Sequence, residues 1–206
     1  MSKQLQTPIP DFSTCLAWVK LVSAGFPGSG KTSLIKHFCD SRFSAGYQPT
    51  VGADYGFKVF RVDGIDLRVN MWDLSGYPEY LEVRNELYSG CDGVLLTIDL
   101  TEAKSVANID AWMREIAQCC LGSPGQQQQQ QSSMPDIVLL ANKADLKDKR
   151  QVTPADAAKA AAKHKLHLYE TSAATGEGVD KAFRDLLQRI VQRNRAAWAA
   201  RGVKME

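Results

Sequence analysis

A glycine-rich stretch between a predicted strand and a predicted helix limits the folds open to this chain more than any other feature. Residues 25–32 read Gly-Phe-Pro-Gly-Ser-Gly-Lys-Thr, with the spacing G-x-x-x-x-G-K-[ST]. The apolar run 17–24 precedes it, and helical spacing of apolar residues begins at Leu34. Such glycines let backbone N–H groups point inward at the positive end of a helix, where Lys31 adds a charge and Thr32 a hydroxyl suited to Mg²⁺. A chance glycine turn is the alternative, but both flanking elements favour a phosphate-binding loop.

The composition is that of an ordinary globular domain. Of 206 residues, 44% are hydrophobic and 23% are charged, and the formal net charge is +2. This balance gives no bulk argument for binding nucleic acid or an anionic membrane, so function must come from specific sites. The pattern predicts a flexible leader at 1–14, one domain at 15–193 and a tail at 194–206, and we expect a monomer.

The cysteines favour a reducing compartment, the cytosol or the nucleus. They are five in number and lack Cys-x-x-Cys spacing. Adjacent Cys119 and Cys120 suggest a metal site, but no further Cys or His stands at ligand spacing, which favours an ordinary helix end. Ser2 stands where myristoylation needs glycine, and the last four residues hold no cysteine, so we expect no prenyl group and no direct lipid anchor.

Alternating strand and helix patterns predict a three-layer α/β fold with about five helices and a six-stranded, mostly parallel sheet. One antiparallel edge strand is expected, because two alternating runs flank the Asp63-Gly64 turn. The acidic stretch up to Leu87 lacks a regular pattern, and the segment 122–135, with six consecutive glutamines, reads as a mobile insertion. Right-handed crossovers bring the carboxyl ends of parallel strands, and the motifs that follow them, to one edge.

A second motif indicates which base the nucleotide ligand carries. Asn142-Lys143-Ala144-Asp145 follows a predicted strand. The Asp145 carboxylate can accept two hydrogen bonds from the N1–H and the exocyclic amine of guanine, a donor pattern that adenine lacks. Lys143 can lay its alkyl stem on the base, and Asn142 can tie this loop to the phosphate loop. A polar turn is the alternative for this motif alone, and its place after a phosphate loop favours a guanine site. An adenine-nucleotide enzyme is excluded by Asp145.

Together these motifs resemble the small GTPases of the Ras superfamily, and within it the Rab branch. The resemblance covers residues 16–193 and rests on the phosphate loop, Thr50, Asp73-x-x-Gly76, Asn142-Lys143-x-Asp145 and Ser172-Ala173. Residues 47–55 and Trp72 carry the Rab character. Residues 76–78 and 83–86 are similar to the RJL group, Rab-like GTPases that often carry a C-terminal J domain, although no J domain is visible here. The resemblance implies the P-loop GTPase fold.

The resemblance also implies roles for individual residues. Nucleotide contacts are expected from Gly28, Ser29, Gly30, Lys31, Thr32, Ser33, Phe43, Tyr47, Thr50, Gly76, Asn142, Lys143, Asp145, Ser172, Ala173 and Ala174. Lys31, Thr50 and Gly76 would act on the reacting phosphate, and Mg²⁺ would be held by Thr32, Thr50 and, through water, Asp73. Effector and exchange-factor proteins would meet Tyr55, Trp72 and Leu87, where Leu87 replaces the usual aromatic. GTP or GDP would be the ligand, with Mg²⁺ as cofactor.

Two departures from the family pattern bear on catalysis. Tyr77 follows Gly76, where most relatives have the glutamine that orients the attacking water, and a phenol has no carbonyl acceptor for that task. Pro27 occupies space that an incoming arginine finger would need. We therefore expect a guanine-nucleotide switch in signalling or trafficking that hydrolyses GTP slowly. The alternative is an interaction scaffold that stays bound to GTP and hydrolyses it negligibly.

Overall fold

The computed structural model describes residues 16–121 and 134–203, which form a sheet with helices on both faces. The strands are β1 (Ala17–Gly25), β2 (Ala53–Val62), β3 (Ile65–Leu74), β4 (Gly93–Asp99), β5 (Asp136–Asn142) and β6 (His167–Glu170). The helices are α1 (Lys31–Asp40), α2 (Leu81–Tyr88), α3 (Lys104–Ala107), α4 (Ile109–Leu121), α5 (Pro154–Lys163) and α6 (Val179–Ala200), with 3₁₀ turns at Pro78–Tyr80 and Lys147–Lys149. Only Asn108 separates α3 from α4, so the described residues hold about the number of helices expected.

The sheet has the predicted arrangement. Its strand order is β2-β3-β1-β4-β5-β6, and every neighbouring pair is parallel except β2 with β3. The antiparallel pair closes at the Asp63-Gly64 turn, where both residues have positive φ angles. The expected α/β fold, with one antiparallel edge strand, is therefore confirmed.

Two hydrophobic cores lie on opposite faces of the sheet. Residues of α1 and α6 pack on one face, where the rings of Phe38 and Phe183 stack with centroids 4.0 Å apart. Residues of α4 and α5 pack on the other, around Trp112 and Ile116. The strands between them are apolar on both sides, as β4 shows by being buried along its whole length. This packing fixes the strand ends on which the functional site depends.

Two segments differ from the sequence-based expectation. The stretch before Leu87 is helical, because Pro78 starts a 3₁₀ turn that leads directly into α2. The tail expected from residue 194 is helical up to Ala200, and Trp198 is buried with the core of α1 and α6. The glutamine run falls outside the described residues. Within the described ranges, no helix combines the length and apolar character needed to cross a membrane.

Candidate functional site

A cavity of about 680 Å³ opens where β1, β3, β5 and β6 end. It is lined by loops that the sequence analysis had assigned to one ligand. The predicted residues on its wall are Gly28, Gly30, Lys31, Thr32, Ser33, Phe43, Tyr47, Thr50, Gly76, Asn142, Lys143, Asp145, Ala173 and Ala174. Ser29, Asp73 and Ser172 are not on the wall; they are buried behind it and hold wall residues in place.

Lys31 projects from the start of α1 into the curl of the loop that precedes it. Its Nζ donates hydrogen bonds to the carbonyl oxygens of Gly25, at 2.8 Å, and Phe26, at 2.9 Å. Only 7% of the residue is exposed. Burial lowers the pKa of Lys31 to about 8, while the nearby Asp73 carboxylate acts in the opposite direction. The ammonium group therefore donates to backbone carbonyl oxygens, at a position where an anionic ligand would give it a full opposite charge.

Two glycines allow the loops to approach each other. Gly30 has a φ of 96°, and a Cβ there would stand 2.2 Å from Nδ2 of Asn142. A Cβ on Gly76 would stand 2.4 Å from the carbonyl oxygen of Gly25. Both distances are far below van der Waals contact, so any larger residue would push the loops apart. The sequence assigned Gly76 to a phosphate contact, and the structure adds that it packs on the phosphate-loop backbone.

Three oxygen atoms converge beside Lys31. Oγ1 of Thr32 donates to Oδ2 of Asp73 at 2.5 Å, and Oγ1 of Thr50 lies 3.0 Å from the Thr32 hydroxyl and 3.2 Å from the same carboxylate oxygen. Ser23 orients the carboxylate by donating to its other oxygen at 2.9 Å. Two hydroxyls and a carboxylate are hard oxygen ligands of the kind that Mg²⁺ prefers. The predicted metal residues therefore lie together, and their donor set fits Mg²⁺.

Asn142 ties the two halves of the cavity together. Its Nδ2 donates to the carbonyl oxygen of Ser29 at 2.9 Å, and its Oδ1 accepts from the backbone N–H of Ala173 at 3.1 Å. The Ser172 hydroxyl donates to Oδ1 of Asp145 at 2.6 Å, which fixes the carboxylate at the cavity wall. Asp145 thus has a set orientation and an acceptor oxygen, Oδ2, left for a ligand.

Lys143 has a partner that the sequence did not reveal. Its Nζ lies 2.5 Å from Oδ2 of Asp99, the last residue of β4. Its backbone has a φ of 68°, which is uncommon for a residue with a side chain. The ion pair holds the Lys143 stem along the cavity wall. Asp99 is the last residue of a strand, and its position there is the only feature of the sequence that could have indicated a place in the site.

Other residues of the site also escaped the sequence analysis. Lys36 and Arg42 line the cavity and add positive charge to that wall. His37 Nδ1 lies 3.0 Å from the carbonyl oxygen of Ala173, so α1 supports the loop after β6. Lys36 follows Thr32 by one helical turn, and this spacing could have indicated it. No comparable signal existed for His37, because its contact joins segments 136 residues apart.

Arg84 fixes the backbone on both sides of Gly76. Its Nη1 donates to the carbonyl oxygens of Ser75, at 3.0 Å, and Tyr77, at 2.7 Å. Glu115 of α4 pairs with the same guanidinium, with Nε–Oε1 and Nη2–Oε2 distances of 2.7 and 3.0 Å. Arg84 is buried, and its charge is matched by this bidentate pair. The loop that carries Gly76 is therefore anchored to α2 and α4.

The predicted partner-binding residues lie outside the cavity. The rings of Tyr55 and Trp72 meet with centroids 5.1 Å apart, and the Tyr55 hydroxyl donates to Oδ1 of Asn70 at 2.6 Å. Tyr55 is exposed, whereas Trp72 and Leu87 are partly buried against the core of α4 and α5. The structure thus places an aromatic pair at the surface of β2 and β3.

Comparison with known proteins identifies the relatives of this chain. The sequence model of the Ras family matches residues 20–192. The chain is 35% identical to DnaJ homolog subfamily C member 27 of Danio rerio over 174 residues, and 35% identical to the Homo sapiens protein of that name over 175 residues. It is 31% identical to Ras-related protein Rab-13 of Rattus norvegicus over 172 residues. Each match covers 84% of this chain, but 61% of the DnaJ homologs' length and 79% of Rab-13.

Proposed function

This chain belongs to the Ras family of small GTPases, in which it is a Rab-like molecular switch, and we propose that it binds GTP with Mg²⁺ and hydrolyses it slowly. The observation that carries this proposal is the convergence of Thr32, Thr50 and Asp73 beside Lys31. No other arrangement in the described residues combines an anion-binding loop with hard oxygen ligands. A triphosphate with its metal ion is the ligand that this combination suits.

The metal-binding part of the proposal rests on Thr32, Thr50 and Asp73. In the part of the chain that the structure describes, no group of three His, Cys, Asp or Glu side chains could hold a metal by itself. The two threonine hydroxyls would therefore hold the ion together with the nucleotide, and Asp73 would act through water. When bound, Mg²⁺ neutralises the charge that develops on the phosphates. Thr50 belongs to the long loop between α1 and β2, so losing the terminal phosphate would release that loop.

Specificity for guanine follows from the orientation of Asp145. Because Ser172 occupies Oδ1, Oδ2 remains to accept a hydrogen bond from the base, and Oδ1 has further acceptor capacity. Phe43 lines the cavity and is 48% exposed, which leaves its ring available to pack against a base. An adenine would give the Asp145 carboxylate no donor pair from the base to match that of guanine. We expect GTP and GDP to bind, and a large excess of ATP to displace neither.

Slow hydrolysis follows from Tyr77. Its carbonyl is held by Arg84, and its side chain reaches the mouth of the cavity. The Lys31 ammonium and the Gly76 N–H would stabilise charge on the reacting phosphate, but the phenol has no carbonyl acceptor with which to orient a water. The chain therefore keeps electrostatic stabilisation and lacks the group that positions the nucleophile.

The scaffold alternative is favoured by one observation. The Tyr47 and Tyr77 hydroxyls meet at 3.5 Å, and Pro27 also lines the cavity. The tyrosine pair and the Pro27 ring would stand in the way of an activating arginine. Without an activating arginine the chain would stay bound to GTP. It would then present Tyr55, Trp72 and Leu87 to effector proteins for long periods. In either case we place the protein in a reducing compartment, cytosol or nucleus, which the free thiols of Cys39, Cys91, Cys119 and Cys120 support.

Single-turnover hydrolysis separates the two functions. The purified chain is loaded with GTP, freed from excess nucleotide, and sampled for GDP in Mg²⁺ and in EDTA. A Mg²⁺-dependent rate above that of GTP in buffer supports the slow GTPase. A rate equal to the buffer rate, with GTP still bound, supports the scaffold. Failure to retain GTP in Mg²⁺ would contradict both.

A further inference from the structure

Three cysteines lie together on the side of the molecule away from the phosphate loop. Cys91 stands in the turn between α2 and β4, and Cys120 stands in the last turn of α4. Their sulfur atoms are 4.0 Å apart. Cys119, the neighbour of Cys120, donates its S–H to Oδ1 of Asn85 at 3.0 Å. The nucleotide site uses none of these thiols.

The surroundings of this pair favour thiolate chemistry. Lys20 on β1 lies close to both sulfur atoms, and its Nζ is held by the carbonyl oxygen of Ser89 at 2.7 Å. Cys91 and Cys120 are partly exposed, so a small oxidant can reach them. The hydrogen bond from the Cys91 thiol lowers the pKa of Cys120, and the positive charge of Lys20 acts in the same direction against the effect of burial. The same hydrogen bond raises the pKa of Cys91, which keeps that thiol protonated.

The other described cysteines lack this environment. Burial raises the pKa of Cys119 to about 11, and Glu115 adds to the effect. Burial and Asp40 raise the pKa of Cys39, which lies on α1 far from the other thiols. Both are therefore poor nucleophiles at neutral pH. They serve as matched controls for the reactivity of the pair.

We propose that Cys91 and Cys120 form a redox-active dithiol, a modification site at which a hydroperoxide produces a disulfide between the turn after α2 and the end of α4. A disulfide requires a sulfur separation of about 2.05 Å, so the two side chains must close roughly 2 Å. Cys120 lies in the last helical turn before residue 122, and Cys91 lies in a turn. Rotation of the two side chains, with small shifts of the turn and of the last turn of α4, would bring the sulfur atoms together.

The reaction balances as a two-electron oxidation. The Cys120 thiolate attacks one oxygen of hydrogen peroxide, the O–O bond breaks, and hydroxide leaves to give a sulfenic acid. That hydroxide takes the Cys91 proton to form the first water, and the Cys91 thiolate attacks the Cys120 sulfur. The S–O bond breaks, and the second hydroxide takes up the proton that Cys120 released on ionising, to form the second water. The two thiols lose two electrons and two protons, and the peroxide is reduced to two waters.

The disulfide would add a covalent link between the turn after α2 and α4. Arg84 and Glu115 already join the two helices by an ion pair. The Tyr88 hydroxyl donates to the same Glu115 at 3.3 Å. A covalent bond from Cys91 to Cys120 would hold the far end of α2 as well. Oxidation would therefore restrict the helix that follows the loop of Gly76 and Tyr77.

The test is peroxide oxidation of the full chain loaded with GDP. After treatment and alkylation with N-ethylmaleimide under denaturing conditions, we expect three modified cysteines instead of five, with no covalent dimer. Trypsin should release one linked species, joining peptide 85–104 to peptide 115–143. Retention of five alkylated cysteines, a dimer linked by disulfides, or a bond from Cys39 or Cys15 would overturn the proposal.

Variants assign the bond and a second probe confirms it. Cys119→Ser and Cys39→Ser should form the same linked species at an unchanged rate, whereas Cys91→Ser and Cys120→Ser should form none. Phenylarsine oxide bridges two nearby thiols, and one molecule should bind to each unsubstituted chain. Its affinity for Cys91→Ser and for Cys120→Ser should be at least about tenfold weaker. GDP retention by each variant shows that it is folded. If Cys119→Ser also loses the linked species or the arsenical, Cys119 takes part in the reaction and the proposal is wrong.

Discussion

The hydroxyl oxygens of Tyr47 and Tyr77 lie 3.5 Å apart at the mouth of the nucleotide cavity. One side chain comes from the long loop before β2 and the other from the loop after β3. The hydrogen bond with Tyr77 raises the pKa of Tyr47 to about 12, so the Tyr47 phenol stays neutral at physiological pH. Two loops that a terminal phosphate would order are thus already in contact through their side chains.

Replacing Tyr77 by glutamine should accelerate hydrolysis. The substitution removes the contact with Tyr47 and supplies an amide that can both accept from and donate to an attacking water. We expect the single-turnover rate in Mg²⁺ to rise on the order of a hundredfold, the lower end of the range typical of one positioned group. Quench-flow or manual sampling of GDP from the preloaded chain measures it.

Tyr77→Phe is the matched control for this change. It keeps the ring and removes only the hydroxyl that meets Tyr47, so hydrolysis should stay at the wild-type rate. Equal acceleration in both variants would mean that the tyrosine contact, and not the missing amide, limits the reaction. An unchanged rate in Tyr77→Gln would contradict the role given to the missing amide.

Asp145→Ala should abolish the preference for guanine. The change removes the acceptor that Ser172 orients, and a charged hydrogen-bond pair is worth about 1.5–3 kcal/mol, or roughly 10- to 150-fold in affinity. GDP affinity should fall by that factor while the weak affinity for ADP stays the same, as competition against a fluorescent nucleotide would show. Asp148→Ala removes an exposed carboxylate three residues away and should change neither. A similar loss in both variants would indicate a general electrostatic effect.

Nucleotide binding should take up a proton near pH 8. The free chain holds Lys31 with a pKa of about 8, below the ordinary value of 10.5, mainly because it is buried. Phosphates beside the ammonium would raise this pKa again, so affinity is nearly constant below about pH 7 and falls as the pH rises through 8 towards 10.5. At pH 8 about half a proton should be taken up per GDP, against about a tenth at pH 7. Calorimetry in two buffers of different ionisation enthalpy measures the uptake, and an enthalpy independent of buffer at pH 8 would contradict it.

Asn142→Ala should destabilise the chain and weaken nucleotide binding together. Its amide joins Ser29 to Ala173 and is buried, so its removal leaves a carbonyl and an N–H without partners. We expect a loss of about 1–3 kcal/mol for each unpaired group. Denaturant unfolding of the nucleotide-free chain measures the stability, with Asn108→Ala as a control that removes only a local contact on the surface. Equal midpoints for the two variants would show that Asn142 does not tie the loops together.

The sequence was informative wherever a motif follows a strand. Lys31, Thr32, Asn142 and Asp145 stand at fixed spacing beside apolar runs, and the topology of a parallel sheet brings strand ends together. These parts of the cavity wall could therefore be predicted from spacing, whereas Phe43, Tyr47, Thr50 and Gly76 were expected only from the family resemblance. The contacts of Lys143 with Asp99, of His37 with Ala173 and of Arg84 with Ser75 could not, since each joins segments whose relative position depends on the packed structure.

The apolar face of the C-terminal helix α6 extends further than its sequence indicates. The apolar face of α6 continues from Val191 to Trp198, seven residues or two helical turns later, but the polar residues between them conceal the period. Closely spaced apolar residues end at Val191, and this is why the sequence predicts a tail from residue 194. Trp198 nevertheless lies on the buried face of the helix.

Trp198→Ala should therefore cost as much stability as a core substitution. Trp198 is only 8% exposed, and its carbonyl accepts from the N–H of Val203 at 3.1 Å, which turns the backbone after α6 back beside it. Removing a buried tryptophan costs about 3–5 kcal/mol, or roughly 6–20 °C in melting temperature for a chain of this size. Arg195→Ala, on the exposed side of the same helix, should shift the melting temperature by less than about 2 °C. Differential scanning fluorimetry of the GDP-loaded chains measures both, and equal shifts would show that residues beyond 193 behave as a tail after all.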